Sequence, residues 1–167
     1  MRVKRSGAVL EPASGAFDVT VAPGEDVQAA VNRCPPGGSV MMLPGMHDGS
    51  LMLAAGQEVH VFARGLATLR AAAGKVVTSA AVATVDGLVV RREAGGVPPY
   101  VEDLVLVDES CVWIKGGALR LQNCDVASAA RGVPCVYIYC GADPVLAACQ
   151  CVPAGLSIFL HPTVEDE

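Results

Sequence analysis

Aromatic residues are scarce in this sequence, since three Phe, three Tyr and one Trp make up 4% of the 167 residues. Hydrophobic residues nevertheless reach 52%, so any core is built mainly from Val, Leu, Ala, Met and Cys. Such small side chains favour a thin interior between closely spaced strands. The 18 Gly and 11 Pro are typical of many short strands separated by turns.

Long apolar runs are also missing. No run approaches the roughly 20 residues that a membrane-spanning helix needs, so we expect no membrane partner. The basic start, Met1–Arg5, leads only to the short apolar stretch Ala8–Leu10, which is too brief for a signal peptide. The net charge of −5 argues against nucleic acid as a partner.

Cysteine is present without the spacing of a metal site. The seven cysteines form no CxxC pair, and the CxC of Cys149 and Cys151 lacks the second pair or nearby His that zinc would require. We therefore expect no metal and no cofactor. Thiols used as small hydrophobic side chains favour an intracellular, reducing compartment.

The most informative feature is an internal repeat. Residues 112–126 are repeated by residues 136–151, with an offset of 24 residues in the first half and of 25 in the second, where Asp143 is the extra residue. Each copy holds two alternating apolar runs joined by a Gly-Ala turn. A unit this short cannot bury its own apolar face and must stack on its neighbours. The repeat predicts a β-solenoid.

The first part of the chain predicts a cap for this solenoid. Residues 1–15 are interpreted as a flexible arm, and residues 16–38 as a short strand followed by a capping helix. The helix, Val27 to Cys34, follows two acidic residues and carries its apolar side chains at spacings of three and four. Pro35 to Gly38 ends it.

Residues 39–160 are predicted to form the solenoid, and residues 161–167 an acidic tail. Strands are expected at Ser39–Leu43, Leu51–Ala54, Val59–Phe62, Ala67–Arg70, Val76–Thr78, Thr84–Val90, Val101–Val107 and, last, Leu156–Leu160. Val76 and Val112 are 36 residues apart, which is longer than the repeat. The excess, rich in Gly and Pro, is expected to protrude as a loop over residues 91–102.

The segments 27–31, 36–40 and 43–47 resemble the beginning of right-handed parallel β-helix proteins with the pectin-lyase-like fold. There, a helix of the IQAAI type leads through PPGG into a strand ending in PPGTY, whereas this chain has Met46 and His47 in place of Thr-Tyr. The repeats resemble those of carbohydrate-binding and sugar-hydrolysis proteins, including the β-helix module of F-box proteins. The resemblance covers roughly residues 20–152. It implies an all-β, single-stranded right-handed parallel β-helix of about five coils with an N-terminal capping helix.

The resemblance further implies that inward residues stack on their counterparts one coil away. The expected pairs are Val112 with Val136, Ile114 with Ile138, Leu121 with Leu146, and Cys124 with Cys149. Strands of adjacent coils lie about 4.8 Å apart. Because stacked side chains project in parallel, which is poor geometry for a disulfide, we expect free thiols.

Catalytic signatures of the superfamily are absent. The chain has neither the clustered acidic Ca²⁺ ligands of pectate lyases, nor the Gly-His-Gly and Arg-x-Lys of polygalacturonases, nor the paired Asp of pectin methylesterases. The remaining candidates are Asp108, Glu109 and Lys115, with Asp86 and Asp125 as looser ones. Two carboxylates could act as acid and base if they faced each other. The favoured interpretation is that all of these are solvated charges.

Four residues are candidates for binding. Trp113 alternates with inward residues and therefore points outward, either to stack on a sugar, to contact a protein, or to lie across its neighbours. Tyr137 holds the same position one repeat later. Arg91 and Arg92 could bind an anion, although a solvated pair is favoured.

The sequence favours a non-catalytic module that binds a protein or glycan, or acts as a scaffold, through its outer wall. One alternative is a carbohydrate-active lyase or hydrolase, and another is a structural or virion-associated solenoid. The final run, apolar on successive residues, is expected to be buried on both faces. It therefore predicts a homo-oligomer, most simply a two-fold dimer, with Ile158 and Phe159 at the contact.

Overall fold

The computed structural model describes residues 16–72, 74–93, 110–129, 134–139, 141–152 and 158–160. In chain order the elements are β1 (Val19–Val21), α1 (Val27–Arg33), β2 (Gly38–Met42), β3 (Gly45–Asp48), β4 (Leu51–Leu53), β5 (Glu58–Ala71), β6 (Val77–Ser79), β7 (Val82–Arg92), β8 (Val112–Ile114), β9 (Ala118–Gln122), β10 (Asp125–Ser128), β11 (Val136–Ile138), β12 (Val145–Ala147), β13 (Gln150–Val152) and β14 (Ile158–Leu160).

Parallel pairing stacks these strands into three walls. Wall 1 begins with β1 and contains β2, the first halves of β5 and β7, β9 and β12. Wall 2 contains β3, the second halves of β5 and β7, β10 and β13. Wall 3 contains β4, β6, β8, β11 and β14. Each coil adds one strand to every wall, so the predicted parallel β-solenoid of about five turns is confirmed.

The corner between walls 1 and 2 differs from the prediction in coil 2. Two strands were expected, at Val59–Phe62 and Ala67–Arg70, whereas β5 runs through both with a register shift. Arg64 and Gly65 take positive φ angles of 51° and 75°, which turns the strand without ending it. β3 was not predicted, because Pro44 and Gly45 were interpreted as a break.

The loop predicted over residues 91–102 overlaps a strand at its first two positions. β7 extends through Arg91 and Arg92, so these residues belong to the wall. Residues 94–102 lie outside the described residues, as do the predicted arm at 1–15, the strand at 101–107 and the tail at 161–167.

The helix covers the first coil, as predicted, although it ends at Arg33 instead of Cys34. The Asp26 side chain caps its N-terminus by accepting a hydrogen bond from the Ala29 amide at 3.0 Å. Val27, Ala30 and Val31 are buried and belong to the same hydrophobic core as the strands. Among the described residues, no helix has the length and apolar character to cross a membrane.

The predicted inward stacks are confirmed. Val112 pairs with Val136, Ile114 with Ile138, and Leu121 with Leu146. The Gln150 amide donates to the Cys124 carbonyl oxygen, which places Cys149 one coil above Cys124. All six described cysteines are free thiols, in agreement with the expectation. Burial raises the pKa of Cys135 to about 12, as expected for a thiol that acts as a hydrophobic side chain.

Candidate binding surface

The outward side of wall 3 brings the two predicted aromatic residues together. Register aligns Met52, Thr78, Trp113 and Tyr137 in a single outward row across the first four coils. The inward neighbours of Trp113 are Val112 and Ile114, both fully buried. The alternation seen in the sequence therefore does place the Trp113 side chain on the outer wall.

Two lysine ammonium groups lie over the Trp113 ring. Lys75 Nζ is 4.1 Å from the ring centroid, and Lys115 Nζ is 5.1 Å from it. Cations are attracted to the negative face of an indole at such distances. The half-buried ring thus lies across neighbouring side chains, one of the arrangements expected from the sequence, and it gathers positive charge on a chain of net charge −5.

The indole nitrogen of Trp113 lacks an acceptor. Nε1 is buried and has no hydrogen-bond partner among the residues that the structure describes. A buried donor without an acceptor costs about 1–3 kcal/mol. Because Nε1 is buried, an external ligand could accept from it only after the neighbouring side chains move, so the accessible feature of this site is the pair of ammonium groups.

Tyr137 occupies the next place in the row but is only 1% exposed. From its position in the repeat, Tyr137 was predicted to be a second binding aromatic residue on the outer wall. Its burial leaves no ring face for a ligand, so direct contact through Tyr137 does not fit this structure.

Arg91 and Arg92 do not form a solvated pair. Because successive side chains of β7 point to opposite sides, Arg91 is exposed while Arg92 is 3% exposed. Burial lowers the pKa of Arg92. Both residues belong to wall 2, whereas Trp113 belongs to wall 3, so the structure does not combine them with the aromatic row.

An ion-pair network on wall 2 was not foreseen from the sequence. Arg70 donates from Nε to Asp48 at 2.5 Å and from a terminal nitrogen to Glu93 at 3.2 Å. These two carboxylates raise the pKa of Arg70. The three residues are spaced by 22 and 23 positions, close to one coil, and that spacing was the available signal.

Wall 1 carries a further polar group. Asp86 is 8% exposed and accepts a hydrogen bond from the Asn123 side-chain nitrogen at 2.7 Å, while Arg120 donates to Gln122 at 2.8 Å. Asp86 is the only carboxylate in this group of four residues. The paired carboxylates of most glycosidases therefore do not arise from it.

The proposed catalytic residues are not assembled by the described part of the chain. Asp108 and Glu109 lie outside the described residues, and Lys115 is exposed beside Trp113. Asp125 is exposed on wall 2, away from Lys115. Within the described ranges, no three His, Cys, Asp or Glu side chains come close enough to hold a metal ion.

A cleft of about 780 Å³ opens between α1 and the first coil. Its polar lining consists mainly of Glu25, Asp26, Gln28, Asp48, Ser50 and Gln57. The cleft has no signature in the sequence, because its lining comes from three separate segments.

Comparison with family models, with curated proteins and with solved structures gave no match to this chain.

Proposed function

We propose that this protein is a non-catalytic β-solenoid module that binds an acidic glycan through wall 3, with Trp113 and Lys115 as contact residues. The supporting observation is the placement of two ammonium groups on one outward, half-buried indole. An acidic sugar supplies a negative group for the exposed Lys115 ammonium group and a ring that can stack on the indole.

The chemistry of the surface favours a polymer over a small molecule. Wall 3 presents strands repeated at about 4.8 Å, so it offers an extended surface and not an enclosed pocket. Charged contacts on such an exposed surface are individually weak. Useful affinity would therefore come from several contacts along one chain.

Intrinsic fluorescence tests the proposal directly, because Trp113 is the only tryptophan in the chain. Titration with oligosaccharides of uronic acids should change its emission, and neutral oligosaccharides of equal length should change it less. Lys115→Gln should weaken binding of the acidic oligosaccharide by about threefold to fivefold, since an exposed charged contact contributes at most about 1 kcal/mol. Arg91→Gln, an exposed cation on wall 2, is the matched control and should bind as the parent does.

The proposal fails if neither class of oligosaccharide alters the emission or produces heat on mixing. Binding of an acidic peptide in place of the sugar would reassign the surface to a protein partner. Release of unsaturated or reducing ends from the polymer, abolished by Lys115→Gln, would show that the module is catalytic.

A further inference from the structure

Two thiols are stacked at the corner between walls 1 and 2 in the last two coils. Cys124 follows Asn123, and Cys149 follows Ala148; both preceding residues have nearly equal positive φ angles, 52° and 51°. Main-chain hydrogen bonds join the corners on either side, from Asn123 to Ala147 and from Gln150 to Cys124. The backbone is therefore the same at both cysteines, and their side chains project in parallel toward the core.

The spacing of such a stack does not suit a disulfide. Strands in neighbouring coils lie about 4.8 Å apart, whereas a disulfide needs sulfurs about 2.05 Å apart and β-carbons drawn together to about 3.8 Å. Two metal–thiolate bonds in line, each taken as the roughly 2.3 Å of zinc thiolates, span about 4.6 Å. That span is close to the spacing of neighbouring strands.

The surroundings restrict which metal would fit. In the described ranges, no third His, Cys, Asp or Glu side chain joins the two thiols. Zinc requires four ligands in a structural site. Thiolates alone select soft ions, and a d¹⁰ monovalent ion accepts two of them in a line.

We propose that Cys124 and Cys149 form a two-coordinate site for a soft monovalent cation such as Cu(I) or Ag(I). Binding forms two metal–sulfur bonds, and the protons still held by the thiols pass to solvent. Cys124 is fully buried, whereas Cys149 is half-buried in the last coil, so the ion reaches the pair from the Cys149 side. This proposal is independent of glycan binding on wall 3.

A second stack one coil lower shows why access matters. Cys111 and Cys135 are also stacked, since the Val112 amide donates to the Cys135 carbonyl oxygen. Both of these thiols are completely buried. They are stacked across one coil step like the proposed site but are completely buried, so we expect Cys124 and Cys149 to bind first.

The test uses the full chain, reduced and kept without oxygen, with Ag(I) as the probe and Cu(I) for spectroscopy. Native mass spectrometry should show one tightly held Ag(I) that survives a competing thiol-free chelator. Cys149→Ser should remove that equivalent. Cys34→Ser, which alters a half-buried thiol on α1's C-terminal side, should retain it. X-ray absorption of the Cu(I) form should show two sulfur neighbours.

Retention of the equivalent by a folded Cys149→Ser variant would overturn the proposal, and so would a spectrum with three or more sulfurs. A Cys124–Cys149 disulfide that forms readily under mild oxidation, with an unchanged circular dichroism spectrum, would also contradict it, because the sulfurs would not hold the ladder separation. If Cys124→Ser does not fold, Cys149→Ser alone decides, since its half-buried position tolerates substitution.

Discussion

Asp18 illustrates how one side chain ties the chain before the helix to the first coil. Its carboxylate accepts hydrogen bonds from the Ser39 amide at 2.8 Å and from the Ser39 hydroxyl at 2.9 Å. These bonds, the amide first, lower the pKa of Asp18 below its ordinary value of 3.8. The ionised form is therefore the one that the fold prefers.

The sign of the pH effect follows from this lowered pKa. The stabilisation is complete above the pKa of Asp18 in the unfolded chain, about 3.9, and is lost as the pH falls through the lower folded value. We expect Asp18→Asn to unfold at lower urea concentration than the parent at pH 6, with the difference shrinking toward pH 3. Asp125→Asn, exposed on β10, is the control. A difference that grows as the pH falls would contradict the assignment.

At the scale of elements, α1 closes the edge of wall 3 with a side chain in place of a strand. The Gln28 amide accepts from the Met52 N–H at 2.6 Å and donates to the Met52 carbonyl oxygen at 3.0 Å. β4, which carries Met52, is the first strand of that wall. The side chain thus satisfies the backbone groups that an edge strand otherwise leaves open.

Gln28→Ala should lower the free energy of unfolding by about 1–2 kcal/mol, because two hydrogen bonds to Met52 and one to Asn32 are lost at a partly exposed site. Urea unfolding followed by circular dichroism measures the change. Arg33→Ala, exposed in the last turn of α1, should change stability by no more than about 0.5 kcal/mol. Equal changes in the free energy of unfolding for the two substitutions would show that Gln28 affects stability through helix propensity and not through its hydrogen bonds.

Two adjacent glycines, Gly116 and Gly117, precede β9 and allow a matched comparison of substitutions. Gly117 has a φ of 70°, and a β-carbon there would lie 2.3 Å from the Ala81 carbonyl oxygen of the coil below. At Gly116 the nearest atom to an added β-carbon is the Ala80 methyl at 4.0 Å, and φ is not in the left-handed range. Coils therefore approach too closely at Gly117 for any side chain.

Gly117→Ala should destabilise the protein by about 3 kcal/mol or more, since a backbone contact must open and a strained φ is kept. Gly116→Ala should alter stability by less than about 1 kcal/mol. Thermal unfolding of the two variants, each compared with the parent, distinguishes them. A similar loss for both would mean that the turn needs flexibility at each position and that the close approach is not decisive.

At the scale of the whole molecule, the two ends of the solenoid differ. α1 covers the first coil, whereas in the last coil Leu160 is 56% exposed and Ile158 is half-buried. β14 forms the last strand of wall 3, as expected for this segment, and among the described strands it pairs with β11 alone. An open strand edge beside exposed apolar side chains favours association.

The formation of a homo-oligomer through contacts at the last coil stays a prediction. Light scattering at high micromolar concentration should give a mass above that of one chain. The double variant Ile158→Asp, Phe159→Asp should return it to the mass of the monomer, because charge would be buried at the contact. Leu66→Asp, at an exposed apolar position on coil 2, should leave the mass unchanged. A parent that is strictly monomeric would refute the prediction.

Local pattern determined that the chain forms stacked coils. Alternation of apolar residues and the offset of 24 residues predicted the coils, because a strand's faces follow from a period of two residues, and the resemblance to parallel β-helix proteins implied the pairing of Val112 with Val136. The same reasoning placed Trp113 outward and recognised the capping helix, whose apolar spacing is also a local property.

Tertiary structure decided which outward residues are exposed to solvent and which contact each other. Tyr137 and Trp113 share one row, yet Tyr137 is buried, since exposure depends on what packs over the wall and not on alternation. Lys75 reaches Trp113 from the preceding coil, 38 residues earlier in the sequence. Such contacts depend on the register between coils and on the exact positions of the corners, which residues far apart in the chain set together.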